Sequence, residues 1–280
     1  MAATPRTDGQ ARIASRIADA LHPGRALVAY LTAADPTPEA FLAAARGAVA
    51  GGAAVLEVGV PYSDPVADGT VIQRAHRRAL AAGGGVARTL DLIRELRTSC
   101  QVPIVLFTYL NPVLAYGLER FAREAAGCGA NGVLTLDLAP EEEPGILAGF
   151  ALAGLDPIVL FGPTTADDRL DALARHARGF AYVLARTGIT GARAGASEDL
   201  DRRVGRVRAA TGLPVAVGFG IASARDVRRC WAIAEAAVVG SALIAALESH
   251  APAEAESVAR AFIAGLRGEC GATSPEETTR

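Results

Sequence analysis

No lysine occurs anywhere in this chain; all 28 of its basic residues are arginine. An internal Schiff base is therefore impossible, which excludes pyridoxal-phosphate chemistry and imine-forming aldolases. Histidine is nearly as scarce. His22, His76, His176 and His250 form no close pair and no HxH, so the clusters that usually supply metal ligands are missing. Cys100, Cys128, Cys230 and Cys270 are scattered without a CxxC. They read as reduced thiols of a cytoplasmic protein, with no disulfide frame and no zinc site. No apolar run reaches the roughly 18 residues that a bilayer span needs, and the opening MAATPRTDGQ lacks the basic-then-apolar order of a secretory signal. A formal net charge of −2 leaves no basic footprint for nucleic acid or an anionic membrane. Any chemistry must then fall to carboxylates, hydroxyls and backbone amides.

What the chain does have is apolar residues, 51% of its 280, enough to bury one sizeable core. Short β-branched runs alternate with Ala/Leu/Arg-rich segments of helical period. The strand candidates are 26–32, 54–60, 103–109, 132–137, 157–161, 180–185, 214–219 and 235–240. Several of the intervening helices end in glycine just before the next strand, as a left-handed C-cap requires. Eight strand-helix units make a closed parallel barrel the economical solution, an α/β (β/α)8 or TIM barrel. The competitor, an open doubly wound sheet, would carry a glycine-rich turn after its first strand; TAADPTPE stands there instead. The expectation is one barrel domain over 1–280, with flexible tails at about 1–8 and 268–280. An extra N-terminal helix, ARIASRIADAL, would plug the barrel's N-terminal mouth.

In such a barrel, function sits at the strand C-termini and the loops beyond them. Alternation in AVLEVGV puts Val55, Glu57 and Gly59 on one face and Leu56, Val58 and Val60 on the other. A carboxylate in that run is either ion-paired with an arginine or kept for general acid/base work with its pKa raised by desolvation. Asp68, in the polar stretch PYSDPVADGTVIQRA (61–75), either starts a turn with Gly69 or folds over the same mouth as a second carboxylate. The Gly/Ala-rich loop 185–197 is a mobile lid or a plain connection, and turn-rich composition with few apolar anchors predicts mobility for 62–68 as well. Gly218 and Gly220 permit close backbone approach to a ligand. Gly240 and Ser241 open a short apolar helix, so backbone N–H groups there suit a phosphate.

LEVGVPYSDPVADGTVIQ closely resembles the signature of the tryptophan synthase alpha subunit family. The likeness continues through YLTAADP, FTYLNPVL, DLAPEE, GPTTADDRL, YVLARTGITGAR, PVAVGFGIAS and VVGSAL, and covers residues 10–266 in order. It implies a carbon-carbon lyase of tryptophan biosynthesis that cleaves indole-3-glycerol phosphate to indole and glyceraldehyde 3-phosphate, with no cofactor and no metal. By the resemblance, Glu57 is the acid/base that protonates indole C3 and assists opening of the glycerol side chain. Asp68 holds the indole N–H, and Thr190 closes the lid onto the Asp68 loop. Tyr182 lies beneath the ring, while Tyr30, Phe107, Leu134 and Phe219 line the indole pocket. Gly191, Gly220, Gly240 and Ser241 form the phosphate cradle. The implied partner is a tryptophan synthase beta subunit in an alpha2-beta2 assembly. A free-standing indole-releasing lyase and a non-catalytic allosteric barrel are the alternatives. The chain departs from the family pattern at Ala34, Ala139 and Ala185, and in the stretch WAIAEAAVVG.

Overall fold

The eight apolar runs become eight parallel strands, each paired with its sequence neighbour and the last with the first, so the sheet closes. The computed structural model describes residues 15–185, 194–218 and 220–268. In chain order the elements begin with α1 (Arg16–Leu21), β1 (Ala26–Thr32), α2 (Pro38–Ala50), β2 (Val55–Gly59), α3 (Thr70–Ala81), α4 (Val86–Leu96) and β3 (Ile104–Thr108). There follow α5 (Leu110–Tyr116), α6 (Leu118–Gly127), β4 (Gly132–Thr135), α7 (Pro144–Leu152), β5 (Asp156–Phe161), α8 (Asp167–Ala174) and β6 (Ala181–Leu184). The last are α9 (Ala194–Thr211), β7 (Val215–Gly218), α10 (Ala224–Trp231), β8 (Ala236–Val239), α11 (Ser241–Glu248) and α12 (Ala255–Gly268).

Period-two alternation sorts the strand residues into two cores. Val28, Val55, Val105, Leu134, Ile158, Tyr182, Ala216 and Val238 fill the barrel interior. Leu27, Leu56, Val58, Leu106, Val133, Val183 and Val217 belong to the layer between sheet and helices, together with Phe41, Phe121 and Phe150. Helix α1 does plug the interior from below. Its Ile17 and Leu21 are fully buried in the inner core, and Ser15 both caps the helix and donates to Asp156 at 2.5 Å.

Local chemistry sets the element ends. Thr37 caps α2 with Pro38 behind it, and Ser223 with Asp226 forms a capping box on α10. The closing helix α12 lies against α2 at Gly47 and Gly51. A Cβ at Gly47 would sit 2.1 Å from the Glu256 carbonyl oxygen, so glycine is what permits that approach.

Three expectations need correction. The polar stretch 61–75 is loop only to Gly69, because α3 starts at Thr70. Two helices, α3 and α4, separate β2 from β3, and α5 and α12 were not anticipated. Most strands are a residue or two shorter than their apolar runs, since the flanking residues enter turns. Of the tails expected at about 1–8 and 268–280, Gly268 ends α12 and the rest lies outside the described residues.

Candidate active site

Glu57 points into the barrel. Its register neighbours are Tyr30 on β1 and Val105 on β3, it is 1% exposed, and its Oε1 has no hydrogen-bond partner among the described residues. Among those residues no arginine pairs with it, so the ion-pair reading finds no support. Burial first, and then the nearby Asp68 charge, push its pKa up to about 8. At neutral pH the group is therefore mostly the neutral acid, with a proton to give.

Asp68 comes to the same mouth from the loop between β2 and α3. Its backbone N–H bonds the Pro65 carbonyl, as in a turn, but the side chain is folded inward and only 6% exposed. Tyr109, just beyond β3, donates its hydroxyl to Asp68 Oδ2 at 2.9 Å and accepts the Ala67 N–H at 3.0 Å. Burial, and then the Asp68 charge, raise the Tyr109 pKa, which keeps that hydroxyl a donor. His76 of α3 is a second neighbour, with Nε2 3.4 Å from Oδ2. Gln73 fastens the loop from below by donating to the Asp68 carbonyl at 2.9 Å, and the Tyr62 N–H bonds His76 Nδ1 at 3.2 Å. The loop expected to have few apolar anchors is tied instead by polar ones, from Tyr109, Gln73 and His76. Asp68 is both a turn residue and a second carboxylate of the mouth.

The walls are aromatic. Tyr30 meets Phe107 edge-on with ring centroids 5.3 Å apart, and its hydroxyl shares a 3.2 Å hydrogen bond with Thr32. A Cβ on Gly59 would fall 2.2 Å from the Tyr30 hydroxyl, and one on Gly218 would fall 2.2 Å from that of Tyr182. Glycine at the ends of β2 and β7 therefore makes room for two phenols over the mouth. Burial raises both phenol pKa values far above the ordinary, and the charges of Glu57 and Asp68 add to this. Leu134 sits deeper, fully buried beside Phe107 in the register.

Strands β7 and β8 pair, so the loops leaving them emerge side by side. Gly220 takes φ +74°, and Gly240 begins α11 with no side-chain cap on the helix's first N–H groups. Ser241 is the first helical residue. Those open donors and the positive helix end suit an anionic group. Thr190, Gly191 and Phe219 lie outside the described residues, as does most of the lid candidate. Ala185 at its start is buried and bonds the Gly218 carbonyl, while Arg203 of α9 donates to the Leu184 carbonyl at 3.0 Å.

The structure thus brings together Tyr30, Glu57, Asp68, Phe107 and Tyr182, and it places Gly220, Gly240 and Ser241 at the rim. Sequence reasoning missed Tyr109 and His76. Tyr109 shares the inward parity of Phe107 and could have been found by carrying the alternation two residues on. His76 gave no signal beyond its scarcity.

A family model described as tryptophan synthase alpha chain matches residues 18–269. The tryptophan synthase alpha chain of Solibacter usitatus is 46% identical over 231 residues, covering 82% of this chain and 86% of its own. That of Geobacter sulfurreducens is 44% identical over 261 residues, 93% of this chain and 99% of its own. Among solved structures, tryptophan synthase subunit alpha from Legionella pneumophila superposes with a TM-score of 0.82 at 32% identity, covering 91% of this chain and 98% of its own. A chain of Mycobacterium tuberculosis tryptophan synthase gives 0.81 at 38% identity, with 91% and 98% covered.

Proposed function

The chain belongs to the tryptophan synthase alpha chain family, and from that premise we propose how it cleaves indole-3-glycerol phosphate to indole and glyceraldehyde 3-phosphate. Glu57, protonated at neutral pH, gives its proton to indole C3. Asp68 accepts the indole N–H and balances the positive charge that protonation leaves on the ring. The bond from C3 to the glycerol chain then breaks, its electron pair returns to the ring, and the adjacent hydroxyl becomes the aldehyde carbonyl. The hydroxyl proton leaves to the Glu57 carboxylate, which restores the acid. Tyr182 lies beneath the ring, and Tyr30, Phe107, Leu134 and Phe219 line its pocket. Gly191, Gly220, Gly240 and Ser241 hold the phosphate, and Thr190 closes the lid. No step calls for a cofactor or a metal.

The observation that carries this reading is a buried, unpaired Glu57 with a pKa of about 8, sharing one aromatic mouth with Asp68. A buried acid that keeps its proton at neutral pH is suited to general-acid work. The test is to incubate the purified chain with indole-3-glycerol phosphate and follow indole and triose phosphate together. Equimolar release supports the reading, and no release with or without a beta subunit defeats it.

The partner in this reading is a beta subunit, in an alpha2-beta2 assembly, docked near Asp64 and Pro65. Beside them Val66 is 85% exposed, and Leu114 on α5 is 50% exposed, which supplies apolar surface near the mouth. We place the reaction in the cytoplasm, in keeping with the free buried thiols of Cys100, Cys128 and Cys230. No helix among the described residues is long and apolar enough to cross a membrane.

A further inference from the structure

We propose that His76 is a positioning residue of this reaction, an imidazole that holds the Asp68 carboxylate in place and aimed at the indole N–H. The inference rests on the function proposed above. His76 lies on α3 and is 2% exposed, too deep to be a solvated surface group. Its Nδ1 accepts the Tyr62 backbone N–H. An accepting nitrogen carries no proton, so the ring is neutral and its one N–H is on Nε2. Among the described residues Nε2 has no hydrogen-bond partner, and what it faces is Asp68 Oδ2, at 3.4 Å.

That pairing has a chemical use. In the reaction proposed above, the Asp68 carboxylate accepts the indole N–H and balances charge on the ring. An arginine would hold that carboxylate but would also neutralise it. The Tyr109 hydroxyl donates to the carboxylate at 2.9 Å, and the His76 N–H stands 3.4 Å from the same oxygen, poised as a second neutral donor that would leave the negative charge for the cationic ring. Both address the same oxygen, Oδ2. The 3.4 Å separation is longer than a charge-assisted bond of roughly 2.7–2.9 Å. Catalytic hydrogen bonds are often long without substrate and tighten in the complex. Because Tyr62 sits on the same loop as Asp68, one ring sets both the loop's entry and its carboxylate.

The experiment compares steady-state indole release by wild type, His76→Gln, His76→Leu, Asp68→Asn and the double variant Asp68→Asn/His76→Leu, each checked for folding by thermal melting. Leucine removes the donor, and kcat is expected to fall about ten- to a hundred-fold with KM changed less than about twofold. Glutamine keeps an N–H donor near the Nε2 position and should stay within about threefold of wild type. With Asp68→Asn in place, His76→Leu should cost nothing further. If leucine does not fold, His76→Phe makes the same comparison. Equal losses in the glutamine and leucine variants, or the same loss in the Asp68→Asn background, would overturn the role of His76. A ring spectrum by long-range proton-nitrogen NMR reads the contact without turnover. The Nε2–H tautomer should be seen, and its Nε2 resonance should shift in Asp68→Asn; the other tautomer would overturn the inference. An inactive wild type would instead count against the reaction.

Discussion

Glu57 makes the stability of this protein depend on pH. Its pKa of about 8 in the fold stands against 4.5 for an ordinary glutamate. Between those values the unfolded chain has lost the proton and the folded one keeps it. Glu57 therefore favours the fold fully below about pH 4.5, and that contribution is lost as pH rises to about 8, by about 5 kcal/mol in all. Glu57→Gln removes this slope. In denaturant unfolding at pH 5 and pH 8.5, the variant should lose several kcal/mol less than wild type, and parallel losses would mean that the buried acid is not raised. Ala34 is the other residue with a readable energy. It is fully buried with φ +62°, where an L side chain costs roughly 1–2 kcal/mol. Ala34→Gly relieves that strain, less roughly 0.4–1 kcal/mol for the greater freedom of glycine in the unfolded chain. A melting temperature higher by about 2 °C is expected, and a lower one would show that the methyl packs usefully. The sequence showed this alanine as a departure from the family pattern. Its positive φ is a property of the loop's path and had no sequence mark.

At the scale of elements, the loop and helix after β2 decide the second carboxylate. Asp68→Asn keeps an oxygen for the indole N–H but cannot balance charge on the ring, so kcat should fall at least a hundredfold; turnover equal to wild type would reduce Asp68 to a turn residue. The α2–α12 contact is a matter of shape alone. Gly47→Ala puts a methyl against the Glu256 backbone, and urea titration should show destabilisation of about 1–3 kcal/mol; an unchanged midpoint would mean that α12 shifts freely. The strands were legible because burial on both faces leaves near-continuous apolar runs; parity put Glu57 on one face with Val55 and Gly59, and the structure shows that face to be the inner one. Helix α5 was not, since it is short and follows β3 after one residue; α12 does carry an apolar stripe in Ala255, Ala259, Ile263 and Leu266, but it lies beyond the last strand-helix unit and the alternation did not call for it. The inward fold of Asp68 needed Tyr109 and His76, partners 41 and 8 residues away, which no local pattern announces.

For the whole molecule, the question is what the mouth does and what covers it. If a beta subunit docks over Asp64 and Pro65, adding it should raise indole release saturably. Val66→Asp should then weaken that activation about tenfold in beta-subunit concentration while leaving the intrinsic rate unchanged. A flat response with fast intrinsic turnover would mark a free-standing lyase instead. Every one of these readings depends on one proton delivered inside the barrel. The most direct measurement is the rate of indole release from indole-3-glycerol phosphate by Glu57→Gln, on protein shown to melt cooperatively. A fall of roughly 10²–10⁴ with substrate affinity largely kept is the predicted result; retention of more than half the wild-type rate would contradict the account.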